Sequence, residues 1–224
     1  MLSGCAGRPA HEPPAPSTTV AVAPSTAGGT AQHEGPRYTV APDQSLLTLL
    51  VFRGGTLAKA GHNHVIASHS VTGVAWVPAD PGRASFEIHV PVGDLTIDEP
   101  QLRALEGKEF SAEVPDSARE GTKKNMLSEP MLDGAHFPEV VLRSQRMERG
   151  AEGMLAQVSV SIRGQTRTIA VPLRYEVTVN EVRAQGQFAL KQTDLGLTPF
   201  SLLGGALRVE DEMTVKFSLV ARAE

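Results

Sequence analysis

Apolar and polar residues alternate along most of the chain after Arg37, with the period of two that places successive side chains on opposite faces of a β-strand. The longest runs cover residues 169–179 and 207–219. Shorter runs cover residues 86–90, 158–162 and 182–190. Alternation on so many segments predicts strands with one apolar and one solvated face, as in antiparallel sheets. Closing such a sheet into a barrel removes its exposed edges and turns every apolar face inward, so we expect an all-β antiparallel barrel.

Two segments depart from this alternation. Residues 46–52 (LLTLLVF) are apolar at nearly every position, so a strand there needs cover on its outer face. Residues 113–127 lack strand alternation and contain a plausible helix start at Asp116. We therefore expect a short helix from Asp116 to cover the apolar strand, although Gly121 weakens the helix.

The first 36 residues differ in composition from the rest of the chain. Most of them are Ala, Pro, Gly, Ser or Thr, and between Ala6 and Pro36 there is no Leu, Ile or aromatic residue. Such a segment buries too little apolar surface to offset the entropy of ordering it. We interpret residues 1–36 as a disordered tether with a reach of about 30 Å as a flexible coil. Residues 37–224 are interpreted as one barrel domain.

The only cysteine of the chain, Cys5, lies in the sequence MLSGCAG. This stretch resembles the lipobox of bacterial lipoproteins, in which Leu2, Ser3 and Gly4 would precede a cysteine that becomes diacylated. The resemblance implies a signal peptide with its basic and apolar parts upstream of Met1, and anchoring by more than one acyl chain. An Asp directly after the cysteine, the usual inner-membrane retention signal, is absent, which favours the outer membrane.

Charge and hydropathy narrow the classes of partner. The net charge of −4 and the isoelectric point near 6.0 leave no basic stripe to neutralise phosphates, so we expect no nucleic-acid partner. The longest apolar run, residues 46–52, is far shorter than the roughly 20 residues of a membrane-spanning helix. With one cysteine, no internal disulfide can form.

The composition of the inward faces leaves the state of the interior open. Aromatic residues make up only 4% of the chain, whereas aliphatic residues are abundant. The interior of an eight-stranded barrel is just filled by side chains or holds one small ligand. Alternation alone favours neither the packed core nor the ligand tunnel.

Four motifs, in order along the chain, together resemble the YceI-like family. They are YTVAPDQSLLTLLVF at 38–52, MLDGAHFPEVVLRS at 131–144, VSVSIRGQTRTIAVPL at 158–173 and FALKQTDLGLTP at 188–199. Each motif alone is weak, but four at natural spacings form a strong signal. The resemblance covers residues 37–222.

The resemblance implies an extended lipocalin-like antiparallel barrel with a short covering helix, in a periplasmic or cell-envelope protein. Family members enclose a long-chain amphiphile, typically a polyisoprenoid or an isoprenoid quinone, and we expect such a ligand and no cofactor. Each methylene moved from water into an apolar tunnel contributes about 0.8 kcal/mol. The candidate tunnel-lining residues, carried over only by strand face, are Phe86, Ile88, Val90, Leu173, Tyr175, Val177, Phe188, Leu190, Val215 and Phe217.

A cluster of histidines departs from the prenyl-binding members, which usually have a Gly-Phe pair where this chain reads Gly61-His62-Asn63-His64. In a strand, His62 and His64 share a face and Asn63 lies on the other, so the two imidazoles could reach one metal ion. His69 falls on the opposite face if the strand continues. His89 is placed on a polar face and His136 in a turn. Three interpretations of His62 and His64 stay open: metal ligands, structural hydrogen-bonding groups, or polar groups at the tunnel mouth that meet a ligand headgroup.

Known catalytic motifs are missing. The sequence contains no Gly-x-Ser-x-Gly elbow, no HExxH and no Gly-rich phosphate loop. We therefore expect a non-enzymatic protein that binds, transports or sequesters an amphiphile and is attached to a membrane through its lipid anchor. The alternatives are a metal-binding barrel or metal-dependent enzyme built on His62 and His64, and a structural or interaction module with a filled core. Oligomeric state, a homodimer included, stays open.

Overall fold

A computed structural model describes residues 33–150 and 153–224. Residues 1–32, which include Cys5 and most of the predicted tether, lie outside the described residues, so the lipidation site and the tether remain predictions. Residues 33–36, which were assigned to the tether, pack against the barrel instead: the ring of His33 stacks on Trp76 at 3.6 Å, and the carbonyl of Pro36 accepts from the N–H of Val77 at 3.0 Å.

β-Strands are the main regular structure of the described chain, and its two α-helices follow one another between the sixth and seventh strands. The helices are α1 (Pro100–Leu105) and α2 (Asp116–Leu127). The strands are β1 (Arg37–Val40), β2 (Leu46–Gly54), β3 (His64–Ser68), β4 (Thr72–Trp76), β5 (Ser85–Pro91), β6 (Thr96–Ile97), β7 (Glu139–Gly150), β8 (Gly153–Ile162), β9 (Gln165–Val177), β10 (Glu181–Lys191), β11 (Ser201–Leu202) and β12 (Leu207–Ala223).

The strands form one closed antiparallel barrel, which confirms the predicted fold class. Strands β5, β7, β8, β9, β10 and β12 are neighbours in that order. The other edge of β12 pairs first with β2 and then with β1. Because β2 pairs with β3, while β1 pairs with β4 and β4 with β5, the sheet closes on itself. The strand pairs β1/β2 and β3/β4 each occupy one position, so the barrel has eight positions.

Long stretches of continuous strand pairing keep the apolar side chains of neighbouring strands on the same face of the barrel. β10 and β12 pair continuously from Glu181 opposite Arg222 to Lys191 opposite Glu212. The register of β12 against β2 shifts between Val209 and Met213. Since side chains repeat every two residues, an unbroken register holds all the apolar side chains of a strand on one face.

The uniformly apolar strand β2 is covered on its outer face, as predicted, but by a different segment from the one predicted. Leu50 and Phe52 pack against Phe110 and Leu102, from the 3₁₀ turn Lys108–Phe110 and from α1. The prediction that the helix starting at Asp116 supplies this cover is wrong. The segment between β6 and α2 turns back over β2 before α2 begins. Its apolar residues follow neither a helical nor a strand period, so the sequence did not indicate that they cover β2.

Helix α2 begins at Asp116, as predicted, and lies across one end of the barrel interior. Its Thr122, Asn125 and Met126 line the barrel cavity described below. Gly121 faces open space, where it carries only the conformational cost of a glycine inside a helix. Among the described residues, neither helix is long and apolar enough to cross a membrane.

Replacement of Phe110 by alanine tests the packing over β2. The side chain is 3% exposed, its ring lies 5.7 Å from that of Phe52 in an edge-to-face arrangement, and Arg103 lies over it. We expect Phe110→Ala to lower the free energy of unfolding by about 3–5 kcal/mol, measured by urea denaturation. Phe110→Leu, the matched control, should cost clearly less because it retains much of the apolar contact. A loss below about 1 kcal/mol in the alanine variant would contradict this packing.

Candidate ligand-binding cavity

The inward faces of the barrel enclose a cavity of about 410 Å³. This volume falls in the range of about 300–1,000 Å³ that is typical of small-molecule sites. The cavity is long, because residues of β12 line it from Val209 to Ala221, a span of about 40 Å of strand. The interior is therefore hollow, and the alternative of a filled core does not describe this barrel.

The described residues that line the cavity are almost all apolar. The four polar exceptions are His64, Thr122, Asn125 and Gln192, and none of the lining residues is Lys, Arg, Asp or Glu. Gln192 is buried, and its amide nitrogen donates to the carbonyl of Glu210 at 2.9 Å. The wall offers extensive contact to a hydrocarbon chain and few hydrogen bonds, which is the chemistry of a lipid site.

The structure places all but two of the predicted lining residues in the cavity wall. Eight of them line it: Phe86, Ile88, Val90, Leu173, Phe188, Leu190, Val215 and Phe217. That they bind lipid stays a prediction.

The other two predicted residues, Tyr175 and Val177, lie outside the lining. Tyr175 is half-buried and packs against the apolar core, and this burial raises the pKa of its hydroxyl. Val177 is 44% exposed, so its assignment to the wall is corrected. It is the last residue of β9, where the strand has run past the enclosed part of the barrel, and alternation continues there without burial.

Sequence reasoning missed part of the wall on β2. Leu47, Leu49 and Val51 face the cavity, whereas Leu50 and Phe52 face outward. Because the whole segment is apolar, no alternation marked which face was which. Thr48, the single polar residue among residues 46–52, lies on the outward side and was the available signal.

The two candidate histidines do not lie on one regular strand. β3 begins at His64, and His62 lies in the irregular segment before it. Their ring centroids are 6.2 Å apart, with the rings tilted by 59°. Asn63 faces away from His64, as predicted: its Oδ1 accepts from the backbone N–H of Arg53 at 3.0 Å and its Nδ2 donates to the carbonyl of Glu109 at 3.1 Å.

His64 instead belongs to a buried charge network that sequence reasoning did not find. Its Nδ1 lies 2.6 Å from Oδ2 of Asp98, a residue that is 1% exposed. The other carboxylate oxygen accepts from the backbone N–H of Val65 at 2.9 Å and from Nη1 of Arg103 at 2.5 Å. Arg103, itself buried, also donates to the carbonyls of Asn63 at 2.7 Å and Ala112 at 2.9 Å.

The position of Asp98 follows from the pairing of β3 with β6. Asp98 comes directly after β6, and its backbone N–H donates to the carbonyl of Val65 at 2.7 Å. Its φ of +55° turns the chain away from the sheet, and its carboxylate then takes the place of a strand partner for the N–H of Val65. Helix α1 starts two residues later and returns Arg103 to the same carboxylate.

These contacts keep Asp98 ionised. Burial disfavours the charged carboxylate and raises its pKa. The hydrogen bonds from His64, from the Val65 N–H and from Arg103, together with the electrostatic interaction with His64, outweigh burial and lower the pKa of Asp98. The Asp98 carboxylate holds the imidazole of His64 through its Nδ1 atom. Its other nitrogen, Nε2, is on the side of the cavity, 3.5 Å from Oγ1 of Thr122.

The remaining histidines named above lie elsewhere. β3 ends at Ser68, so His69 follows the strand, and its Nε2 lies 2.9 Å from Glu99. His136 bonds to Asp133 at 2.8 Å, which raises the pKa of the imidazole. Within the described residues, no group of three or more His, Cys, Asp or Glu side chains is arranged to hold a metal ion.

His89 lies on the polar outer face of β5, as predicted. It sits between Glu87 and Glu139, each at 2.9 Å. Burial lowers the pKa of His89, but the hydrogen bonds and charges of the two carboxylates outweigh that effect and raise it.

Comparison with known proteins identifies the family. The model of the YceI-like domain matches residues 38–221, and the chain belongs to this family. A comparison with curated proteins finds no match.

Two solved structures share the fold at low sequence identity. BcnA of Burkholderia cenocepacia aligns with a TM-score of 0.58 and 13% identity over 81% of this chain and 98% of BcnA. A polyisoprenoid binding domain from Saccharophagus degradans, implicated in plant cell wall breakdown, aligns with a TM-score of 0.54 and 11% identity over 84% of this chain and 98% of that domain.

Replacement of Asp98 by asparagine tests the buried network. The variant keeps the size of the side chain but leaves Arg103 buried without its counter-charge, so we expect a loss of about 3–5 kcal/mol in the free energy of unfolding at neutral pH. The control is Asp116→Asn, which breaks the exposed ion pair with Arg119 and should cost less than about 1 kcal/mol.

The pH dependence of the Asp98→Asn effect gives a second readout. Because the pKa of Asp98 is lower in the folded state, its stabilising contribution is present above the unfolded value of about 3.9 and is lost as the pH falls through the folded value. Urea denaturation at a series of pH values should show wild type and variant converging in acid. A gap in stability that stays constant down to low pH would show that the charge of Asp98 does not stabilise the fold.

Proposed function

We propose that the barrel binds a long-chain amphiphile, a polyisoprenoid or an isoprenoid quinone, and carries or sequesters it without chemical conversion. The observation that carries the proposal is the long cavity with an almost wholly apolar wall. Membership of the YceI-like family and the shared fold of a polyisoprenoid binding domain support the same ligand class.

The energetics favour a chain-shaped ligand. A methylene group transferred from water to the cavity contributes about 0.8 kcal/mol, so affinity rises with every carbon that the tunnel accepts. The wall of Val, Leu, Ile, Met and Phe has few polar groups, so a hydrocarbon makes its contacts without leaving many donors or acceptors unsatisfied.

One arrangement in the cavity has the order of a nucleophile-activating site. The carboxylate of Asp98 contacts the imidazole of His64, and the imidazole in turn faces the hydroxyl of Thr122. The 3.5 Å between Nε2 and Oγ1 exceeds a normal hydrogen bond, and Thr122 is in the middle of α2, whose backbone N–H groups already donate along the helix. No oxyanion site is formed by that part of the helix, and a binding role for His64 fits the geometry better.

The N-terminal region gives the proposal a cellular setting. We propose that Cys5 is the lipidation site, that residues 6–32 are a flexible tether, and that the barrel works in the periplasm or cell envelope, where an isoprenoid chain needs protection from water. Labelling of the full chain with a radioactive fatty acid, compared with a Cys5→Ala variant, tests the anchor separately from the barrel.

Blocking the tunnel tests ligand binding with a matched control on the same strand. Ala184 and Ala189 both belong to β10, but Ala184 lines the cavity and Ala189 is exposed on the outer face. We expect extracts of purified wild type and of Ala189→Trp to contain a co-purified isoprenoid lipid by mass spectrometry, and extracts of Ala184→Trp to contain at most a small fraction of it.

Thermal denaturation of both tryptophan variants is the folding control. We expect both to unfold cooperatively, because the cavity can accommodate the indole ring at position 184. If the wild type retains no lipid and its melting temperature does not rise with added prenyl quinone or prenyl alcohol, the proposed function is wrong. If Ala184→Trp retains as much lipid as Ala189→Trp, the ligand does not occupy the barrel interior.

A further inference from the structure

We propose that the polar end of the ligand is an uncharged hydroxyl group, as in a prenyl alcohol or the hydroquinone form of an isoprenoid quinone, and that it donates a hydrogen bond to Nε2 of His64. This inference rests on the proposed function, since it names the chemistry of the headgroup that the same cavity selects.

The first step is the tautomer of His64. Both oxygens of Asp98 are already accepting hydrogen bonds, one from Nδ1 of His64 and the other from the Val65 N–H and Arg103. An ionised carboxylate only accepts, so the proton of the 2.6 Å contact must belong to Nδ1. In the neutral form of the imidazole, a proton on Nδ1 leaves a lone pair at Nε2, and that atom is the acceptor in the proposed complex.

The second step is the position of that acceptor. The side chain of His64 is 15% exposed and lines the cavity beside Thr122 and Asn125 of α2. Asn125 also lies at the surface, so this polar group marks a place where the cavity meets solvent. The 3.5 Å between Nε2 and Oγ1 of Thr122 is too long for a good hydrogen bond. A hydroxyl beside both atoms would donate to Nε2 and accept from Oγ1.

The third step is the absence of a counter-charge for an anionic headgroup. None of the described residues lining the cavity is Lys or Arg. Arg103, behind the imidazole, is buried and already donates to Asp98, Asn63 and Ala112. Arg119 of α2 is another cation close by, and it donates to the carbonyl of Asp98 at 3.3 Å and pairs with Asp116. A phosphate at His64 would therefore lose its hydration next to the Asp98 carboxylate, with both nearby arginines already engaged.

The same geometry discriminates between the two redox forms of a quinone. A quinone carbonyl only accepts, and it would meet the acceptor Nε2 without a proton between them. The hydroxyl of the hydroquinone supplies that proton. The site should therefore prefer the reduced form.

The experiment measures equilibrium binding of three probes with one tail: a long-chain prenyl alcohol, its methyl ether and its monophosphate. One neutral hydrogen bond corresponds to a factor of about 2–10 in affinity. We expect wild type to bind the alcohol about 2–10-fold more tightly than the ether, and the monophosphate most weakly. His64→Phe should bind alcohol and ether equally.

Thr122→Val is a second variant of the same site, and it keeps the inference testable if His64→Phe does not fold. It removes only the hydroxyl that faces Nε2 and leaves the Asp98 network untouched, and it should reduce the preference for the alcohol without abolishing it. If wild type binds alcohol and ether equally, or binds the monophosphate most tightly, the inference is overturned. Binding of none of the probes would overturn the proposed function itself, which separates the two failures.

A second pair of probes, a prenyl hydroquinone and its quinone under anaerobic conditions, separates the two sources of the hydroxyl. A preference of about 2–10-fold for the hydroquinone, lost in His64→Phe, supports the inference. Tighter binding of the hydroquinone than of an alcohol with the same tail would identify the hydroquinone as the preferred source, and the reverse order would identify the alcohol. Tighter binding of the quinone would overturn the inference, because the imidazole would then be acting as a donor.

Discussion

A barrel of eight strand positions encloses more volume than its aliphatic side chains fill, and the rest of this structure depends on that constraint. Strand alternation turns Val, Leu, Ile and Met inward from every position of the barrel, while aromatic residues are scarce in the whole chain. Closure through β1 and β12 fixes the diameter, so the walls cannot collapse onto one another. The outcome is an apolar hollow, and such a hollow has the surface chemistry that a hydrocarbon ligand requires.

The polar part of the cavity is organised by charge burial at its edge. Asp98 and Arg103 are nearly inaccessible to solvent, and their hydrogen bonds join the segment that links β6 to α2 with Asn63, His64 and Val65 at the start of β3. A satisfied network of this kind favours one geometry over others, because removing Asp98 or Arg103 leaves the other charge buried and unpaired. His64 is held in a single orientation by that network. In the proposed complex, the barrel wall holds the hydrocarbon, and the network fixes the orientation of His64, the residue that meets its polar end.

The regular strands were predictable from the sequence because a period of two has one structural meaning when it persists. The runs that became β9, β10 and β12 are long and amphipathic, and their inward residues were identified correctly except near the open end of β9, at Tyr175 and Val177. Alternation reports only the face of a residue, and burial depends also on how far along the barrel the residue lies. The helix start at Asp116 was predictable from local signals, whereas the position of α2 in the fold was not.

The site was harder to predict, because its key contact joins residues far apart in sequence. Asp98 and His64 meet only because β6 pairs with β3 and the chain turns at Asp98. The sequence suggested His62 as the partner of His64, since both would share a face of an ideal strand. β3 starts at His64, so the assumption of a regular strand through His62 did not hold. Whether the interior was filled or hollow also depended on the sum of side-chain volumes around a closed circle, which no single segment reveals.

The central claim is that the hollow holds one long hydrocarbon chain, and calorimetric titration of the protein with a long-chain prenyl alcohol at several temperatures tests it most directly. The account predicts saturable binding of one ligand per barrel with a negative heat-capacity change, the signature of apolar surface leaving water. Absence of saturable binding, or binding without a heat-capacity change, would contradict it.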